Sequence, residues 1–116
     1  MKKFEEKDEE REHRIDFEVI VDCYDEYEQA MGWETYLGDK LDFPFKAKRL
    51  GKHGGSQVEV LRMSDIDSIK GIFVEVELKG EIVDLPLEQI EPIDADEETQ
   101  EGIEDWHYWI AQGHQF

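Results

Sequence analysis

Residues 31–50 read MGWETYLGDKLDFPFKAKRL, and the passage from helix to strand inside this stretch decides the fold. Proline fixes its own φ and pushes the residue before it out of the α region, so Phe43-Pro44 ends a helix by about Asp42. Beyond this hinge Phe45, Ala47 and Arg49 alternate with Lys46, Lys48 and Leu50, which is the period of a strand. Phe43 and Phe45 supply large apolar surfaces at the junction, enough to fasten helix to sheet.

On the N-terminal side of the hinge, residues 23–41 predict a helix. Cys23, Tyr27, Ala30, Leu37 and Leu41 share one face, flanked by Met31 and Trp33, with Asp25, Glu28, Thr35 and Asp39 opposite. Glu34 falls inside the apolar stripe, where a carboxylate must find a partner, reach the rim or bind a cation. Gly32 costs about 1 kcal/mol against Ala in mid-helix and points to close packing beside Trp33. The preceding IDFEVIVD, residues 15–22, has an ambiguous period; its run Val19-Ile20-Val21 favours a strand. Residues 1–14 alternate charge without an apolar pattern and are expected as a frayed helix or a disordered tail.

On the C-terminal side the expected strands are Phe45–Leu50, Gln57–Arg62, Ile72–Leu78 and Glu81–Leu85, with a short extended piece at Glu91–Ile93. Val58/Val60 and Ile72/Val74/Val76/Leu78 alternate with charged neighbours, as in a half-buried antiparallel sheet. Lys79-Gly80 reads as a tight hairpin, and Pro86–Ile90 as one 3₁₀ turn. A second helix is expected over 94–112, capped by Asp94 or Asp96, with Ile103, Trp106, Trp109 and Ile110 on one face and Gly113 as its stop. The predicted fold class is α+β: a small SH3-like antiparallel β-barrel flanked by an N-terminal and a C-terminal helix, one domain over residues 1–116.

The net charge is −18 and unevenly placed. Residues 1–42 carry −9 and residues 94–116 carry −7, so the central strands are close to neutral. Such a surface repels nucleic acid and anionic membranes and attracts cations and basic proteins. Acid excess alone also reads as plain solubility, since it marks no site. No apolar run is long enough to span a membrane, and the charged N-terminus lacks a signal peptide's apolar core, so a cytoplasmic protein is expected. Cys23 is the single cysteine and reads as a core thiol. The histidines His13, His53, His107 and His114 are scattered, too few and too far apart for a zinc site, and no serine lies in a nucleophile motif. No enzyme is expected.

Carboxylates remain as candidate ligands, because a hard cation such as calcium takes six to eight oxygens. Asp39 and Asp42 lie where the first helix ends, with Glu34 one turn back. That end carries the negative pole of the helix, so two aspartates there form a local conflict that a bound cation would resolve. Exposed loop aspartates screened by salt fit the same two residues. A second group comprises Asp94, Asp96, Glu97 and Glu98, followed by Glu101 and Asp105, and helix capping accounts for part of it. Asp65-Ile66-Asp67 begins like an EF-hand loop, but Lys70 and the missing closing glutamate exclude it.

Gly32-Trp33…Tyr36-Leu37, Leu41…Phe43-Pro44-Phe45…Ala47 and the ending Asp105-Trp106-His107-Tyr108-Trp109 together resemble the cyanobacterial calcium-binding protein family, CcbP. The resemblance covers about residues 11–50 and 85–116; between them only the strand pattern agrees. It implies a small acidic protein that binds Ca2+ without EF-hands, holds free calcium low in the cytosol as a buffer or sensor, and releases it during heterocyst differentiation when removed. Asp39 and Asp105 fall inside the resembling motifs and carry over as metal ligands; Asp42, Glu34, Glu101, Asp94 and Asp96 are candidates from charge and position. The expected partner is the calcium ion, bound by a monomer. The alternative is an acidic adaptor domain that binds a basic protein partner or mimics nucleic acid.

Overall fold

The computed structural model describes residues 8–51 and 55–114. Helix α1 (Glu9–Arg14) runs into a π-helical turn (Ile15–Val19), and α2 (Glu26–Lys40) follows. Then come β1 (Phe45–Arg49), β2 (Gln57–Met63), β3 (Phe73–Leu78), β4 (Glu81–Pro86), β5 (Ile90–Ile93) and α3 (Glu97–Ala111). Short 3₁₀ turns sit at Ser68–Lys70 and Leu87–Gln89. All neighbouring strands are antiparallel, in the order β4-β3-β2-β1-β5.

The three inner strands bury alternate side chains: Phe45 and Ala47 on β1, Val58 and Val60 on β2, Val74 and Val76 on β3. A register shift between Val60 and Arg62 bulges β2 and bends the sheet, since a bulge kinks its strand. The expected closed barrel is not seen, because β4 and β5 remain edges that do not pair with each other. Pro86 and Pro92, at these two edges, lack the amide donors that a further ladder would need. The Lys79-Gly80 hairpin has φ of 53° and 83° at its two turn residues, the left-handed pair that matches strand twist.

The core lies between the sheet and the helices. Trp33 of α2 meets Trp106 edge-on at 5.1 Å and Trp109 at 5.5 Å, joining α2 to α3. Gly102 lets the two helices approach: a Cβ there would stand 3.2 Å from Leu41 and Lys40 side-chain atoms.

The N-terminal third departs from expectation in three ways. Residues 9–14, expected as a frayed helix or a disordered tail, form the helix α1, anchored rather than frayed, with Arg11 buried, because ion pairs rather than apolar contacts hold it; residues 1–7 lie outside the described residues. Ile15–Asp22, expected as a strand, opens with the π-turn, closed by a hydrogen bond from the Ile20 amide to the Ile15 carbonyl at 3.0 Å. Ile15 and Val19 then face the core together. On α2 the buried face is Ala30, Trp33 and Leu37, whereas Tyr27 and Met31 are exposed. Trp33 has turned the helix so that Glu34, expected in the apolar stripe, points to solvent.

Candidate functional site

Asp105 of α3 is fully buried at the meeting point of three helices. Its Oδ1 accepts from Arg11 Nη1 at 2.7 Å and Arg14 Nη2 at 2.6 Å. Its Oδ2 accepts from Arg14 Nε at 2.9 Å and from the Tyr36 hydroxyl at 2.6 Å. Arg14 therefore grips the carboxylate with both prongs of its guanidinium. The carboxylate holds Arg14 protonated far above its ordinary range, and burial, then the Asp105 hydrogen bond, keeps the Tyr36 phenol neutral. Four hydrogen bonds fill the acceptor capacity of a carboxylate. A calcium ion at Asp105 would have to displace two guanidiniums, so in this arrangement Asp105 serves the fold. Glu101, one turn earlier, pairs with Lys40 and lies 3.7 Å from Arg14. The Lys40 hydrogen bond, opposed in part by burial, holds the Glu101 carboxyl below its usual range. The Tyr108 hydroxyl completes the anchorage of α1, donating to Glu12 at 2.8 Å and accepting from the Asp8 amide at 3.0 Å.

Asp42 and Asp96 meet at the start of α3. Asp96 caps the helix by accepting from the Thr99 amide at 2.7 Å, and the buried Thr99 hydroxyl accepts from the Asp42 amide at 2.9 Å. The Thr99 amide is the main cause that keeps the Asp96 carboxyl below its usual range, with a smaller contribution from contact with Asp42. The positive pole of α3 favours both carboxylates, so their proximity is stable without a metal. Asp94 stands exposed beside them at φ 54°. The structure thus joins part of the first expected group to part of the second, and leaves Glu34 apart on the outer face of α2.

Asp39 goes elsewhere. It lines a groove of about 510 Å³ between the π-turn, α2 and the first turn of α3, together with Glu18, Thr35, Tyr36, Lys40 and Glu98. Gly32 forms part of its floor, where a Cβ would come within 2.3 Å of the Val19 carbonyl oxygen. Cys23, expected in the core, borders this groove half-exposed and donates to the Glu28 carbonyl at 3.2 Å; burial first, then nearby acids, raises its thiol.

The groove offers hard oxygen donors: carboxylates from three different elements and two hydroxyls. Among the described residues Glu18, Asp39 and Glu98 take no part in an ion pair, while Lys40 is engaged by Glu101. Also among the described residues, no three His, Cys, Asp or Glu side chains converge closely enough to hold a metal ion. The donor chemistry fits calcium, which tolerates irregular geometry and completes its shell with water. Glu18 was hidden from sequence reasoning because its segment reads as a strand. The signal was present, since residues 15–39 contain eight acids and no lysine or arginine.

Comparison with known proteins adds a separate line of evidence. The model of the CcbP family, described as calcium binding, matches residues 13–110. The crystal structure of Anabaena CcbP is 46% identical, with a TM-score of 0.88 over 96% of this chain and 97% of that one. A calcium-binding protein solved in the calcium-binding form is 44% identical, with a TM-score of 0.87 over 100% of both chains. No curated protein sequence gives a significant match.

Proposed function

Because the chain belongs to the CcbP family of calcium-binding proteins, we propose that it binds Ca2+ in the groove of Asp39, with Glu18 and Glu98 as the other carboxylates and the Thr35 hydroxyl as a neutral donor. The observation that carries this assignment is the groove itself: carboxylates from the π-turn, α2 and α3 line it, and its one lining base, Lys40, is engaged by Glu101. Asp39 lies one residue before the last of α2, so it faces the helix's negative pole, and a cation there relieves both repulsions. The chain's own part is to hold carboxylates at a common opening and let them close on the ion. Asp42 and Asp96 stay at the cap of α3, outside the groove, and Asp105 and Glu101 brace the helices that line it.

The finer reading is a cytosolic calcium buffer or sensor, a binding protein rather than an enzyme, whose removal would free calcium during heterocyst differentiation in cyanobacteria. The strand order and the β2 bulge support reading the sheet as an SH3-like barrel left open at β4 and β5.

Isothermal calorimetry with CaCl2, in physiological potassium and millimolar magnesium, tests the assignment. Saturable binding is expected, weakened several-fold by Asp39→Asn and by Glu98→Gln, with unchanged melting in EGTA. Unaltered affinity in both variants, with a loss in Asp42→Asn or Asp96→Asn, would move the site to the start of α3.

A further inference from the structure

Seven large apolar side chains stand exposed among the described residues, and five of them fall within residues 17–31: Phe17, Val21, Tyr24, Tyr27 and Met31. Single exposed hydrophobics are ordinary; a concentration of them within one short stretch, here from the π-turn into α2, marks a contact surface. Tyr24 is 86% exposed, Tyr27 66% and Met31 64%. Tyr27 and Met31 are one turn apart on α2, and Met31 and Val21 border the same groove, so the apolar surface runs from α2 to the turn that follows the π-helical segment. Nothing in the fold requires this exposure, because Ala30, Trp33 and Leu37 already seat α2 on the core.

We propose that the exposed apolar residues of this stretch, centred on Tyr27 and Met31 of α2, form a docking surface for a basic amphipathic segment of another protein. Tyrosine and methionine are the side chains that adaptable interfaces use, the one large and stiff, the other pliant. The choice of occupant follows from charge. Asp16, Glu18, Asp22, Asp25, Glu26 and Glu28 alternate with these apolar residues along the chain, all exposed, in a stretch without lysine or arginine. A second copy of the chain would bring the same acids against themselves, and like charges across an interface are unfavourable. Anionic membranes and nucleic acid are repelled for the same reason. A helix with lysines or arginines flanking an apolar stripe satisfies both parts of the surface at once, in the helix-on-groove mode of recognition. The surface borders the calcium groove at Val21 and Met31, but the two tyrosines substituted in the test, Tyr24 and Tyr27, lie outside it, so loss of peptide binding and loss of calcium binding are distinguishable.

The probe is a synthetic leucine–lysine peptide patterned as an amphipathic helix, titrated into the full chain in EGTA at physiological salt. Its control is the same peptide with serine in place of leucine. The expected result is saturable binding of the leucine peptide, at least about tenfold tighter than the serine peptide and weakened at least about tenfold by Tyr24→Ser/Tyr27→Ser. Melting of the variant and its calcium affinity should match the wild type. Equal binding of both peptides, or an unaffected variant, would reduce the face to a charged surface and overturn the proposal. So would sedimentation that finds a wild-type dimer dissolved by the same double substitution, which would assign the face to a second copy.

Discussion

Asp105→Asn separates the structural role of this residue from a metal role. The side chain is fully buried, and two guanidiniums, themselves largely buried, depend on its charge. Asparagine keeps the shape but loses the charge and turns one acceptor into a donor, aimed at Arg11 and Arg14 or at the Tyr36 hydroxyl. Removing one partner of a buried ion pair costs about 3–5 kcal/mol, because the remaining charge is left without compensation. Arg14 is 20% exposed and can swing toward Glu101, which places the expected loss near the lower end, about 3 kcal/mol. That is a large share of the roughly 5–15 kcal/mol stability of a domain this size. The melting temperature should fall by roughly 10–15 °C. The assay is urea unfolding in EGTA, followed by the fluorescence of the buried cluster Trp33, Trp106 and Trp109. Amide exchange over α1 should rise together with global unfolding, since Asp105 is what fastens Arg11 and Arg14. In the folded variant at low temperature, calcium affinity should change less than about twofold. A loss below about 1 kcal/mol, joined to a collapse of calcium binding, would refute the reasoning and place Asp105 on the ion.

Two glycines of α2 should respond with opposite sign. Gly32→Ala forces a Cβ to within 2.3 Å of the Val19 carbonyl oxygen, so backbone must move, and a loss of about 1–3 kcal/mol is expected despite the better helix propensity. Gly38→Ala meets nothing within 4 Å and should gain about 0.5–1 kcal/mol; urea midpoints of both variants check the pair. Lys79→Asn, at φ 53° in the hairpin, should raise the midpoint by up to about 1 kcal/mol, because asparagine tolerates the left-handed region better than lysine. His107 hydrogen-bonds the Ile90 carbonyl at 2.9 Å, and burial lowers its pKa from the ordinary 6.5, with the Ile90 bond and Glu88 opposing. The unfolded chain therefore takes up the proton first as pH falls. Stability present above about pH 6.5 is lost as the pH drops toward the folded value. The melting temperature of wild type minus that of His107→Gln should shrink between about pH 7.5 and 5.5, and a constant difference would exclude the linkage.

What the sequence made legible was what local chemistry determines. From Phe45 to Leu85 the alternation of apolar and charged residues has only one burial solution, and the Lys79-Gly80 turn fixes the register of β3 and β4. The hinge at Phe43-Pro44 and the stop at Gly113 likewise follow from backbone sterics. The misread parts depend on partners distant in the chain. Arg11 and Arg14 lie 94 and 91 residues from Asp105, so a charged N-terminal run with no apolar period looked unfastened. The run Val19-Ile20-Val21 reads locally as a strand, whereas the chain closes a π-turn over Ile15–Val19 and packs the Val19 carbonyl against Gly32, a contact with a residue further along the chain. Helical periodicity placed Tyr27 and Met31 with the core because it cannot weigh one apolar residue against another; Trp33 decides which stripe is buried. The same blindness affected the carboxylates. Asp105 and Glu101 look like their neighbours in sequence, yet one is saturated by guanidiniums and the other by Lys40.

This division of the acids explains why function gathers on one side. Arg11, Arg14 and Lys40 all converge on Asp105 and Glu101, where they brace α1 and α2 against α3. Drawing these bases to the brace leaves residues 15–39 with eight carboxylates on a surface that sequence supplies with no base. Self-repulsion there opposes the compact state, and monovalent salt relieves it only by screening. A divalent ion bound as proposed among Glu18, Asp39 and Glu98 would remove the repulsion at its source. It would also add binding free energy to the folded state, about 2.7 kcal/mol at one hundred times its dissociation constant. The brace and the groove share Tyr36 and Lys40, so the elements that crowd the carboxylates are the ones the ion pairs hold in place. If calcium binds in the groove as proposed, the arginine brace is its structural precondition, and Arg14→Ala should weaken both stability and calcium affinity although it touches no proposed ligand.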